Sequence, residues 1–418
     1  MRYLKCVLVI CVLLMLFGHT SHAQFFGRCS SASIGELRQN IKKHDEHTFR
    51  MEDKFLNYWY KKDKLPSDFQ GTSLSDIKIF LEKLKPRRAG VLFYSYKKEN
   101  RRLCTWLITQ NGVECQDLSS EVKNLRFDLP NGKLDSSGKD TLLSLGKLLL
   151  PQCLIDKLVK KSIDTLIVVP IFSIGSVPFS ALSVNGQMVV DFVSMMIAPG
   201  FNVFRDEPTH WRHDFSTSII VGDPVYPRDL PYDLPRLEWT GIEATEIAKI
   251  VNNTSPLIGN SATRQEINDR IKVMKKDLSL VYLGTHGYAD RTNPLDSSLL
   301  FFSDGAWNAR DIQNLHLRES RPLVVLSACQ SGLGKDFDVG TIGMTRAWHR
   351  AGASNVVMSL WSISDYGTVK LMIRFIQWAQ KIPPDKALQK AMLETRSEDP
   401  DPASWAGFTV FGVPQQPK

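Results

Sequence analysis

Residues 323–335 read LVVLSACQSGLGK. An apolar, β-branched run leads to Cys329, and a glycine-rich loop follows at once. Two readings fit. Cysteine is a good small core residue. It is also a nucleophile when it stands at a strand end with open loop backbone around it. The neighbouring stretches supply the context. Residues 278–287, LSLVYLGTHG, are a second apolar run, ending in Thr285-His286-Gly287, and residues 354–362, SNVVMSLWS, are a third. Helical patterns alternate with them: 241–252 (GIEATEIAKIVN), 263–272 (TRQEINDRIK) and 340–352 (GTIGMTRAWHRAG), the last with Met344, Ala347, Trp348 and Ala351 on one face. The strands are apolar throughout. That predicts an α/β fold, a mainly parallel sheet with helices on both faces. Functional residues in such sheets collect at the carboxyl ends of the strands.

Residues 217–226, TSIIVGDPVY, open this unit, and two more helices close it, at 366–380 and 385–395. Residues 90–210 are a separate body of α/β material. GVLFYSY (90–96) and CTWLIT (104–109) read as strands, followed by an Asn111-Gly112 hairpin turn. Residues 139–159 read as helical, 163–171 as a buried strand, Asn185-Gly186 as another turn and 194–200 as a strand. Residues 24–88 are helical in pattern, with Ile34, Leu37, Ile41 and Phe49 near one stripe, and a short helix capped by Ser73 or Ser75.

His286 and Cys329 both end core strands, and each is close to glycine. Neighbouring strands lie about 4.8 Å apart, so adjacent strands would let the imidazole and thiol face each other. A Cys–His pair passes the thiol proton to His, which later protonates a leaving amine. The backbone amides of Gly287 and Cys329 would then hold an oxyanion. The alternative is a packed Cys and a capping His.

The stretch from Leu283 to Asp365 resembles the CHAT domain, a peptidase-like family related to caspases, separase and gingipains. So do LIVVPIFSIGSVPFSAL (166–182), DFVSMMIAPGFNVF (191–204) and SWAGFTVFG (404–412). The resemblance runs from about residue 73 to residue 414. It implies a caspase-haemoglobinase fold in two halves: a pseudo-protease half at 73–212 and a peptidase half at 213–418, preceded by a short helical segment at 24–72. It also implies His286 and Cys329 as a catalytic dyad. SLWSISDYG (359–367) resembles the separase segment whose aspartate lines the specificity pocket, and Asp365 is the matching position. A carboxylate there would pair with Arg or Lys before the scissile bond; alternatively Ser364 or Asp365 caps the following helix. The related metacaspases carry an acidic residue two before the cysteine, where this chain has neutral Ser327. The chain also departs from the family in lacking a preceding tetratricopeptide array.

Residues 1–23 read as a signal peptide. Arg2 and Lys5 precede an apolar run from Cys6 to Phe17, and Ser21-His22-Ala23 supplies a small-x-small exit. The run is short for a membrane span, which needs about 20 residues; an uncleaved anchor is the alternative. The expected product is exported, periplasmic or extracellular, and meets a membrane only through that peptide. Five cysteines remain after it. Cys29, Cys104, Cys115 and Cys153 suffice for two disulfides, leaving Cys329 as the thiol.

The formal charge of +8 is uneven: residues 24–105 hold 18 Lys and Arg against 10 Asp and Glu. A solvated helical face explains this, with a docking surface for an acidic partner as the alternative. No stacking or zinc signature accompanies it, so no nucleic-acid partner is expected. GLGK at 332–335 is followed by Asp336, not Ser or Thr, and is no phosphate loop. The Pro-rich stretch YPRDLPYDLPRLEW (226–239) reads as an exposed gating or self-cleavage segment.

The expectation is an exported cysteine endopeptidase acting on protein or peptide substrates, with no organic cofactor and no metal. Calcium activates some relatives, but no calcium loop is present. The alternative is a catalytically silent binding or scaffold protein on the same fold. Nothing in the sequence sets the oligomeric state.

Overall fold

The computed structural model describes residues 31–56, 69–122, 127, 136–252, 255–328, 331–337, 340–361 and 365–416, leaving out the side chains of 31–33, 52–56, 115–121, 136–139, 337, 365 and 366. The expected signal peptide and Cys29 lie outside the described residues. So does Cys329.

The apolar runs join one sheet of eleven strands. In chain order these are β1 (Ala89–Lys97), β2 (Arg102–Thr109), β3 (Gly112–Glu121), β4 (Thr165–Val169), β5 (Ser194–Ile197), β6 (Ser218–Pro224), β7 (Leu257–Gly259), β8 (Leu280–Gly284), β9 (Leu323–Ser327), β10 (Asn355–Ser359) and β11 (Phe408–Gly412). Their order across the sheet is β3-β2-β1-β4-β5-β11-β10-β9-β8-β6-β7. Pairing is parallel except at β1–β2, β2–β3 and β10–β11. Because β11 runs antiparallel to β10 and parallel to β5, the sheet reverses direction there. The carboxyl ends of β6, β8, β9 and β10 share one edge.

The α-helices of eight residues or more among the described residues are α1 (Ser31–Leu56), α2 (Leu74–Lys83), α3 (Ser136–Leu149), α4 (Gln152–Val159), α5 (Glu238–Ile250), α6 (Arg264–Met274), α7 (Met344–Ala351), α8 (Asp365–Ala379) and α9 (Pro384–Glu398). Their starts follow local chemistry. Ser73 caps α2 in a reciprocal box with Asp76, and Thr263 accepts from the Glu266 amide at the start of α6. Pro151 separates α3 from α4 inside a stretch whose pattern reads as continuous. The Asn185-Gly186 turn has both residues at positive φ, 49° and 85°, as a tight hairpin requires.

Three sequence expectations are corrected. In α1, Leu37 and Ile41 are buried, but Phe49 is exposed and His44, Asp45 and Thr48 lie inside instead. The helix expected from Gly340 starts at Met344, because Gly340–Gly343 pairs as a strand with Gly334–Phe337. Two disulfides do not form from the four cysteines named: Cys153 is disulfide-bonded, whereas Cys104 is a buried thiol on β2.

Candidate active site

Four parallel strands deliver residues to the shared edge. The register pairs Gly284 of β8 with Ser327 of β9. His286 stands two residues past the first and Cys329, in sequence, two past the second. The Thr285 amide donates to the Ser327 carbonyl at 3.4 Å, so the chain leaving β8 is still tied to β9. Beneath both strands, the buried carboxylate of Glu243 on α5 accepts from Tyr282 and, at 2.9 Å, from Ser327. Burial, with the Glu243 charge beside it, holds the Tyr282 hydroxyl well above its ordinary value.

His286 is half-buried and fixed from three sides. Its Nε2 lies 2.8 Å from the carbonyl oxygen of Pro235. A carbonyl only accepts, so Nε2 carries a proton, and in the neutral ring Nδ1 is then the acceptor a general base needs. Its amide faces the Tyr226 hydroxyl at 3.3 Å, and the Tyr226 ring lies 5.1 Å from the imidazole. Its carbonyl accepts from the Phe301 amide at 3.1 Å. That last bond makes Gly287 and Leu300 a non-hydrogen-bonded pair in the small ribbon Gly287–Tyr288, Leu299–Phe302, Gly305–Asn308. The Gly287 N–H therefore turns away from Leu300, toward the outer edge of the ribbon.

The loop around position 329 is pinned on both sides to the end of β10. Ser359 Oγ donates to the Ala328 carbonyl and accepts from the Ser331 amide at 3.1 Å. The Gly332 amide donates to the Ser359 carbonyl at 2.8 Å. A Cβ on Gly332 would meet that carbonyl oxygen at 2.7 Å, so this approach requires glycine. The hairpin that follows leans on the first half of the chain. Ser176 donates to the Gly332 carbonyl and Thr341 to that of Phe172, both at 3.4 Å.

A sequence model described as the CHAT domain matches residues 139–413, more than half of the chain. The chain belongs to the CHAT domain family. Its fold is similar to that of Saccharomyces cerevisiae separase, solved in complex with securin. One such structure covers 92% of this chain at a TM-score of 0.58 and 11% identity, and another covers 93% at 0.57 and 12%. This CHAT chain spans about a third, 34%, of those separase chains. Gingipain R, an Arg-specific cysteine proteinase, aligns over 64% of this chain and 68% of its own, with 13% identity and a TM-score of 0.42. No curated protein sequence matches. The separase likeness shows the fold: a caspase-like α/β sheet, mainly parallel, with helices on both faces.

Of the residues singled out in the sequence, His286 and Gly287 lie at the expected strand end. Cys329 is outside the described residues. Asp365 opens α8, and its side chain is likewise not described. Pro235, Tyr226, Glu243 and Ser359 were not legible as site residues. The loop of Pro235 is conspicuous in sequence, but a backbone carbonyl has no residue signature.

Proposed function

We propose that this CHAT protein is an exported cysteine endopeptidase in which Cys329 is the nucleophile and His286 the general base and acid. The observation that carries this reading is the bond from His286 Nε2 to the Pro235 carbonyl, which makes Nδ1 the accepting nitrogen of the neutral ring. In the proposed reaction His286 takes the thiol proton, and the Cys329 sulfur adds to the scissile carbonyl carbon. The amides of Gly287 and Cys329 stabilise the resulting oxyanion. Collapse breaks the C–N bond as His286 returns the proton to the leaving amine. Water then hydrolyses the thioester by the same base, regenerating the thiol. Asp365 is proposed as the acid that selects Arg or Lys before the cut. Export is supported by the charged, apolar and small-residue pattern of 1–23 and by the disulfide at Cys153, a bond that persists in oxidising compartments.

The test uses protein from Gln24 under mild reductant, incubated with a mixed peptide library, alongside Cys329→Ala. Mass spectrometry should find cut bonds that the variant fails to produce, with Arg or Lys before the cut. Residues of another type there would remove Asp365 from the pocket. An intact library, with and without calcium, would replace the peptidase by a binding protein on this fold.

A further inference from the structure

The Pro235 carbonyl belongs to an exposed, Pro-rich loop, which by itself is a poor place to hold a catalytic tautomer. The structure shows what steadies it. Asp223, at the end of β6, is buried and sits at φ 45°, in the left-handed region that a non-glycine residue rarely adopts. Its carboxylate grips the loop immediately after Pro235. Oδ1 accepts from Arg236 Nε at 2.8 Å and from the Leu237 amide at 3.1 Å, while Oδ2 accepts from Arg236 Nη2. The Asp223 amide in turn donates to Thr240 Oγ1 at 2.8 Å, and that hydroxyl donates to the Leu237 carbonyl at 2.8 Å. The residue next to the acceptor carbonyl is thus held by a two-toothed guanidinium–carboxylate fork, and the one after it by its amide. Proline fixes its own φ. The peptide plane that faces His286 has little freedom left.

We propose that Asp223 and Arg236 are positioning residues for His286, aiming the Pro235 carbonyl so that the imidazole keeps its proton on Nε2. Both act through the loop rather than on the imidazole itself. Only the kinetic consequence rests on the peptidase reading; the tautomer is a property of the folded chain. The fork matters more than the charge. Lysine at 236 restores a cation but not two parallel bonds. Arg236 is half exposed, so its replacement spares the core.

The test is nitrogen NMR of histidine-labelled protein, with the His286 signal assigned by its loss in His286→Gln. The parent chain should show a single neutral tautomer protonated at Nε2. Arg236→Ala and Asp223→Asn should show averaged ring-nitrogen shifts, and Arg236→Lys should recover only part of the parent signal. Peptide turnover should fall about 10- to 100-fold in kcat with KM little changed, as for a misplaced catalytic group. Parent-like ring shifts in Arg236→Ala, in a folded protein, would overturn the clasp. Shifted tautomers in a protein that cleaves nothing would uphold the clasp and overturn the peptidase reading.

Discussion

A ring nitrogen bonded to a carbonyl and one packed in a crowded helix face fare differently, and the chain holds both. His286 keeps contact with solvent and is steered by the Pro235 carbonyl. His349 packs its ring edge-on against Phe411, 5.6 Å away. Burial pushes its pKa down to about 4, with the charges of Arg346 and Arg321 adding to the shift. Between about 4 and the ordinary 6.5, the unfolded chain binds a proton that the folded chain refuses. Stability present above about pH 6.5 is therefore lost as pH falls toward 4. The whole shift corresponds to at most about 3 kcal/mol, reduced by the part of the ring that reaches the surface. Urea unfolding across that range should show a flatter stability curve in His349→Gln. An unchanged slope would assign the acid sensitivity to another group.

Among the elements, α5 carries the most consequence for the site. It supplies Glu243 beneath β8 and β9, and Thr240 beside the clasp. It approaches β6 so closely that a Cβ on Gly222 would meet the Thr240 carbonyl oxygen at 2.3 Å and the Ala244 Cβ at 2.7 Å. Gly222→Ala should cost about 1–3 kcal/mol in urea unfolding as the helix is pushed off the strand. A change below a few tenths would mean that α5 shifts freely. This layer was legible in sequence. The runs ending at Gly284, Ser327 and Ser359 are too apolar and too regularly separated by helical patterns to be anything but a covered parallel sheet. The four-residue ribbons at 299–308 and 334–343 were not, because strands that short carry no period. His286 stood out through its place after a core strand. Asp223 and Arg236 did not, because a pair thirteen residues apart across a loop shows no spacing rule.

Across the whole molecule, a buried polar junction ties the earlier strands to the later helices. Arg87 Nη2 pairs with Asp385 of α9 and donates to Thr165 of β4 at 3.0 Å, and Nη1 donates to the Gln415 carbonyl at 2.9 Å. Ser194 of β5 donates to the same Asp385 at 2.6 Å. Removing the carboxylate would strand a buried guanidinium. Asp385→Ala should therefore lose about 3–5 kcal/mol, measured by thermal or urea unfolding. A loss below 1 kcal/mol would mean that water relieves the charge. The second tie is the loop after position 329, which borrows Ser176, the Phe172 carbonyl and, through Arg346, the Pro199 carbonyl from the first half.

The position of β11 bears on how such a molecule comes into being. Of the eleven sheet strands it is the last to leave the ribosome, yet it occupies the seam where the sheet reverses. Until it arrives, β5 and β10 each present a bare row of amides and carbonyls to whatever other chains are nearby. The pairings that close the seam join residues as far apart in sequence as Met196 and Val410, the kind of non-local contact that slows folding. Losing Phe408–Gly412 would therefore leave two half-sheets with open edges, each a template for other copies of the chain.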